Sequence, residues 1–176
     1  ILPPGVERHV VNGGALTAFQ IFPDDELEII NNEANQICEI ICFNKDGKSD
    51  AGILNLKTNN DKNFIRSILN GKDETILATN HQLKKRNLNI PDSKSSIIFD
   101  LDTKAGESFK LKSKDKCYAI FAAPSEDMDV TNQNPPSDLT IFIKRSQIVN
   151  DKELNVIPDP VFEPLYEENI NKETSI

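Results

Sequence analysis

The stretch GGALTAFQIFPDDELEIINNEANQICEIICFN, residues 13–44, decides the fold class because strand-like patterning runs through nearly all of it. Residues 15–22 place apolar side chains at alternating positions, which predicts a half-buried strand. Phe19 and Ile21 share one face of that strand, and the opposite face carries Leu16, Ala18 and Phe22. This stretch therefore indicates the architecture and gives little information about a reaction.

Two more strands follow in the same stretch. The Pro-Asp-Asp sequence at residues 23–25 ends the first strand, and residues 26–31 begin the second. After a polar turn, residues 37–43 are apolar except for Glu39. Such a run is typical of a central strand that is covered on both faces.

The rest of the chain predicts more strands and one or two short helices. Apolar residues recur at helical spacing in residues 64–69, with Asn60 or Asp61 as the N-cap and Gly71 as the stop. A second short helical segment is expected at residues 81–87. Further strands are predicted at residues 95–101, 108–111, 117–123 and 139–144. The fold class is therefore mainly β (α+β), an antiparallel β-sandwich or a distorted barrel with one or two short helices.

The composition divides the chain into a β domain, residues 1–150, and an acidic, proline-containing segment, residues 151–176. This segment has seven acidic residues against two lysines, and so it carries most of the net charge of −8. Three prolines at residues 158–164 favour an extended linker or strap toward a following domain. Two interpretations of the apolar residues in this segment stay open: they lie against a neighbouring domain, or they pack loosely on their own domain. These residues are Val161, Phe162, Leu165 and Tyr166.

Charge and hydropathy exclude two classes of partner. Residues 57–116 are locally basic, with 13 Lys or Arg against 8 Asp or Glu, but they lack the interleaved aromatic residues of a nucleic-acid platform. No apolar run approaches the roughly 18 residues of a membrane span. We therefore expect a cytoplasmic protein that binds neither nucleic acid nor membrane. The chain starts at Ile1 and its only methionine is Met128, which suggests that the true amino terminus is missing or processed.

The cysteines predict core packing and no metal site. Cys38 and Cys42 would share one face of a strand about 13 Å apart, too far to bind one zinc ion. Cys117 has no ligand-type neighbour in sequence. With three cysteines and no secretory signal, we expect no disulfide.

Few residues qualify as catalytic candidates. His81 is the best of them, because it follows an apolar pair and opens the basic stretch at residues 84–86, although a lone histidine is usually structural. His9, in a short first strand, is predicted to be a rim residue. The carboxylates Asp100 and Asp102 are interpreted as the entry to a turn.

Two patches carry a family resemblance. Phe19, residues 24–29, Gln36 and the Phe-Asn pair at 43–44 resemble the opening of the urea-carboxylase-associated domain family, and residues 133–143 resemble its closing turn and strand. Residues 1–145 are more closely similar to the leading domain of fusion enzymes of the trimethylamine N-oxide demethylase type. Those enzymes end in an aminomethyltransferase-like module that binds tetrahydrofolate.

The resemblance implies a role in a larger enzyme. Enzymatic members of the family carry metal ligands around an Asp-x-x-Gly-x-His-Asp segment, and residues 100–106 occupy a similar place without histidine or cysteine. We therefore expect a non-catalytic N-terminal scaffold or oligomerisation domain with no cofactor of its own. The parent enzyme would use tetrahydrofolate and a zinc or iron ion, and the partners would be its following domains and further copies of the chain. The alternative is a stand-alone domain that binds a small molecule, or a metal-dependent hydrolase.

Overall fold

The fold consists of two antiparallel four-stranded sheets packed face to face. The computed structural model describes residues 2–58, 63–125 and 135–157. The first sheet has the strand order β1-β8-β3-β6, and the second has the order β2-β7-β4-β5. The strands are β1 (Val6–Val11), β2 (Leu16–Ile21), β3 (Glu26–Asn31), β4 (Cys38–Phe43), β5 (Ser96–Ile98), β6 (Ser108–Lys112), β7 (Cys117–Ala122) and β8 (Leu139–Lys144). The prediction of a mainly β sandwich is confirmed, and the described strands form no closed barrel.

The core between the sheets is built from alternate residues of nearly every strand. Phe19 of β2 and Phe121 of β7 stack with their ring centroids 5.1 Å apart, and both are completely buried. Leu27 and Ile29 of β3 enter the same core from the opposite sheet. Alternation works here because successive side chains of a strand point to opposite faces of its sheet.

A second apolar layer covers the outer face of the second sheet. Helix α1 (Phe64–Leu69) contributes Ile65 and Leu69 to this layer, and helix α2 (Glu74–Lys84) contributes Leu83. Leu16 and Ala18 of β2 are buried beneath this layer. The prediction that β2 is only half-buried is therefore wrong, because structure distant in sequence covers its second face.

The helices begin at caps that differ from the predicted ones. The N-cap of α1 is Asn63, whose side chain accepts a hydrogen bond from Arg66 N at 3.1 Å, and not Asn60 or Asp61, which lie outside the described residues. Helix α2 begins well before residue 81, because Asp73 accepts a hydrogen bond from Ile76 N at 2.8 Å. Since few residues of α2 are buried, its apolar pattern was too weak to reveal its length.

Strand β4 is the central strand that the sequence predicted. All six of its residues are buried, and it pairs with β7 on one side and β5 on the other. Strand β5 is shorter than predicted, because Phe99 adopts a φ of 65° and the chain then turns away. The predictions for β7 and β8 are confirmed.

The first residues after 150 pack on the β domain. They form a short helix α3 (Asp151–Leu154), and Leu154 and Ile157 are buried. Ile157 and Ala18 exchange two backbone hydrogen bonds of 2.7 Å, which adds a bridge beside the edge strand β2. The predicted strap residues 161–166 lie outside the described residues, so their docking stays a prediction. Over the described segments, the longest helix has 11 residues, and none is long and apolar enough to cross a membrane.

Candidate functional site

His81, the catalytic candidate from the sequence, lies exposed in the last turn of α2. It lines a groove of about 730 Å³ between the two helices, where most neighbours are apolar or amide side chains. The residues lining this groove include no carboxylate, cysteine or second histidine. An acid or base at this position would act without a partner of the kind that usually orients a catalytic imidazole.

The three cysteines are free thiols inside the core. A hydrogen bond with the Cys117 thiol and then burial raise the pKa of Cys42 far above its ordinary value. Burial also raises the pKa of Cys38. These thiols stay protonated, which suits packing, whereas metal ligation requires the thiolate. The sequence did not predict that Cys42 and Cys117 meet, because 75 positions separate them.

Ionisable side chains form a largely buried cluster between the two sheets, here named the inter-sheet cluster: Glu7, His9, Asp25 and Arg145. Arg145 donates to Glu7 from Nε at 2.6 Å and from Nη2 at 3.0 Å, and to Asp25 from Nη1 at 2.7 Å. The same Nη1 donates to the Gln20 carbonyl on β2, so that the cluster ties the end of β8 to the other sheet. The Arg145 side chain is 3% exposed and that of Asp25 is fully buried.

His9 belongs to this cluster and is not the rim residue that the sequence predicted. Its Nε2 lies 2.9 Å from Glu7 Oε1, and its ring stacks on Phe19 with the centroids 4.3 Å apart. Burial raises the pKa of Glu7, but the hydrogen bonds with His9 and Arg145 outweigh it and lower that pKa to about 2. Burial lowers the pKa of Arg145, but its hydrogen bonds with Glu7 and Asp25 outweigh burial and raise that pKa. Both groups are therefore ionised at neutral pH, as a stable ion pair requires.

Two further carboxylates have structural partners. Glu39 is completely buried and accepts hydrogen bonds from Phe64 N at 3.0 Å, from Ile65 N at 2.6 Å and from Ser95 Oγ at 2.9 Å. It thereby fixes the start of α1 on β4. Asp100 accepts from Asp102 N and lies in a turn, as predicted.

A groove of about 520 Å³ on the described part of the chain is strongly basic. The turn after β4 supplies Lys45, the end of α2 supplies Lys85 and Arg86, the loop before β7 supplies Lys116, and β7 itself supplies Tyr118. No aspartate or glutamate lines the groove. The sequence showed a basic stretch at 84–86 within the locally basic residues 57–116, but it did not predict that Lys45 and Lys116 converge on that stretch, because both lie far from it in the chain.

Metal-type ligands do not converge in the described part of the chain, where no three His, Cys, Asp or Glu side chains are placed to hold one ion. The class of protein defined so far is a β-sandwich domain whose buried charges are mostly structural and whose surface carries a basic groove.

Comparison with known proteins shows a similarity to a curated enzyme. No family model matches the chain. The chain is 28% identical over 174 residues to the trimethylamine-oxide aldolase of Ruegeria pomeroyi. The matched region covers 99% of this chain and 22% of that protein. The chain thus spans about a fifth of the length of this curated relative. The finding supports the predicted relationship to trimethylamine N-oxide demethylases, whereas the resemblance to the urea-carboxylase-associated family stays a prediction.

Proposed function

We propose that this chain is the N-terminal, non-catalytic scaffold domain of a multidomain enzyme related to trimethylamine-oxide aldolase. The observation that carries the proposal is the similarity to that protein over almost the entire chain, at a fifth of the relative's length. The enzyme would cleave trimethylamine N-oxide to a secondary amine and formaldehyde. This domain would support the domains in which that reaction occurs.

The contacts of the reactive side chains support a scaffold role. The thiols of Cys38 and Cys42 are buried and protonated, Glu39 holds α1 on the sheet, and Arg145 makes four hydrogen bonds to two carboxylates and a carbonyl. Each of these side chains already makes contacts that stabilise the fold. A general acid or base instead needs access to substrate and a pKa near the working pH.

The remaining parts of the proposal concern the parent enzyme. It would be a cytoplasmic homo-oligomer, and this domain would contact the following domains of the same chain. Tetrahydrofolate would accept the formaldehyde in an aminomethyltransferase-like module, and a zinc or iron ion would serve the cleavage site. The ligands for both would come from sequence outside this domain.

The test uses the full-length enzyme with substitutions in this domain. Formaldehyde and dimethylamine are measured during turnover of trimethylamine N-oxide by the wild type and by His81→Ala, His9→Gln and Cys38→Ala. We expect each folded variant to keep kcat within about twofold of the wild type, because these side chains would not touch the reacting atoms.

Two results would contradict the proposal. The first is absence of any formaldehyde release by the wild-type enzyme, which would remove the proposed reaction. The second is a His81→Ala variant with unchanged thermal unfolding and a kcat lowered 100-fold or more, which would place catalysis in this domain. An His81→Gln variant is the matched control for loss of side-chain packing.

A further inference from the structure

The basic groove concentrates positive charge on a chain of net charge −8. Its four cationic residues come from three separate parts of the chain: Lys45, Lys85, Arg86 and Lys116. Like charges brought together repel one another, which costs free energy unless an anion or solvent compensates. The convergence of these residues therefore requires a physical explanation.

Helix capping explains only part of the convergence. Cations near a helix C-terminus interact favourably with the helix dipole. Arg86 does so, because its Nη1 donates to the Gln82 carbonyl in the last turn of α2 at 2.6 Å. Lys45 and Lys116 belong to a turn and to the loop before β7, so the end of α2 does not account for their presence.

Arg86 lines the groove and keeps hydrogen-bonding capacity that the fold does not use. Its Nε is buried and has no hydrogen-bond partner among the described residues. Its Nη2 makes only long contacts with Asn155, at 3.4 and 3.5 Å. A guanidinium carries five N–H donors in a fork that matches phosphate and carboxylate oxygens. An oxyanion is the ligand that would use these donors.

The floor of the groove is held in a fixed geometry. The Tyr118 ring lies under the Arg86 guanidinium, 5.1 Å from its carbon Cζ, and the Tyr118 hydroxyl donates to the Asn155 carbonyl at 2.7 Å. Beside it, Gln20 Nε2 donates to the Cys117 carbonyl at 2.6 Å. These contacts restrict Arg86 and its neighbours before any ligand arrives, and so reduce the entropy that binding would cost.

We infer that this groove binds a small multivalent anion, namely a phosphate ester or a polycarboxylate. Its volume of about 520 Å³ lies within the range of sites for small molecules. The lysines supply long-range attraction, and the Arg86 fork supplies directional contacts to adjacent oxygens. This binding function goes beyond the proposed scaffold role and does not depend on turnover of any substrate.

The test is calorimetric titration of the full-length protein with sodium pyrophosphate and, separately, with citrate. Ionic strength is held at about 0.15 M so that screening is constant. We expect one anion per chain. The double variant Lys45→Gln, Lys116→Gln should bind about 5- to 10-fold more weakly. Arg86→Lys should also bind several-fold more weakly, because an ammonium cannot replace the guanidinium fork.

The matched control removes two exposed lysines that do not line the groove, Lys94→Gln and Lys104→Gln. It changes the net charge of the protein by the same amount, and we expect it to leave the dissociation constant unchanged. Tighter binding of pyrophosphate would identify the phosphoryl class, and tighter binding of citrate the polycarboxylate class. The inference is overturned if neither anion binds, or if the groove and control variants weaken binding equally.

Discussion

The inter-sheet cluster and the basic groove both concentrate charge, and they differ in whether that charge is paired. In the cluster, Arg145 is 3% exposed and lies within 2.7 Å of oxygens on both Glu7 and Asp25. In the groove, the cations meet no lining carboxylate and three of them are exposed lysines. A buried charge needs a partner of opposite sign, because it has lost its hydration. An exposed charge is solvated by water, needs no partner in the protein, and can therefore bind a ligand. The cluster should therefore govern folding, and the groove should govern binding.

The strongest way to break this comparison is to remove the centre of the cluster. Arg145→Met should lower the free energy of unfolding by about 3–5 kcal/mol, because the fully buried Asp25 would lose its cationic partner. Urea denaturation measures this change. The control is Arg8→Met, which removes an exposed arginine of β1 and should change stability by less than about 0.5 kcal/mol. Equal effects of the two substitutions would show that the cluster has no special role.

A smaller effect is expected from titration of Glu7. Its folded-state pKa of about 2 lies below the ordinary value of 4.5. A lowered pKa stabilises the fold fully above about pH 4.5, and this contribution is lost as the pH falls from there toward 2. The loss should amount to about 2–3 kcal/mol in the wild type.

The measurement for Glu7 is the pH dependence of urea denaturation between pH 5 and pH 2. Glu7→Gln should make this dependence shallower, because residue 7 then has no carboxyl group to protonate. Glu26→Gln, which removes an exposed carboxylate of β3, is the control and should keep the wild-type slope. A Glu7→Gln variant with the wild-type slope would contradict the assigned pKa.

The smallest effect on stability is expected from substitutions in the basic groove, which tests whether the groove contributes to folding. Without an added anion, Lys45→Gln combined with Lys116→Gln should change the free energy of unfolding by no more than about 0.5 kcal/mol, because both lysines are exposed. Thermal and urea unfolding of the double variant check this. A loss of several kcal/mol would mean that these lysines stabilise the fold, and the division between the two regions would not hold.

Much of the fold could be predicted because local patterning reports it. Residues 37–43 were expected to form a strand covered on both faces, and β4 is buried at all six positions. Alternation in residues 15–22 also assigned Phe19 and Leu16 to opposite faces correctly. Helix α2 was harder to predict. It buries only Thr79 and Leu83, so few of its apolar residues recur at helical spacing.

The sites were less predictable than the strands. His81 was chosen as a catalytic candidate because histidine is a common acid or base. In the structure it is exposed and lines a mostly apolar groove. Lys45 and Lys116 were not singled out, because 71 positions separate them and an exposed lysine has no distinctive sequence pattern. Arg145 and Glu7 were also missed, although two hydrogen bonds join their side chains.

By itself, the sequence determined the β class, most strand positions and the packing role of the cysteines, because burial imposes a period of two on neighbouring residues. Only the tertiary structure decided which distant charges meet. Glu7 and Arg145 stand 138 positions apart and become partners because β1 pairs antiparallel with β8. The groove likewise exists only because the end of β4, the start of β7 and the end of α2 meet at the same place. Coulomb interactions depend on distance in space, which residue order does not specify.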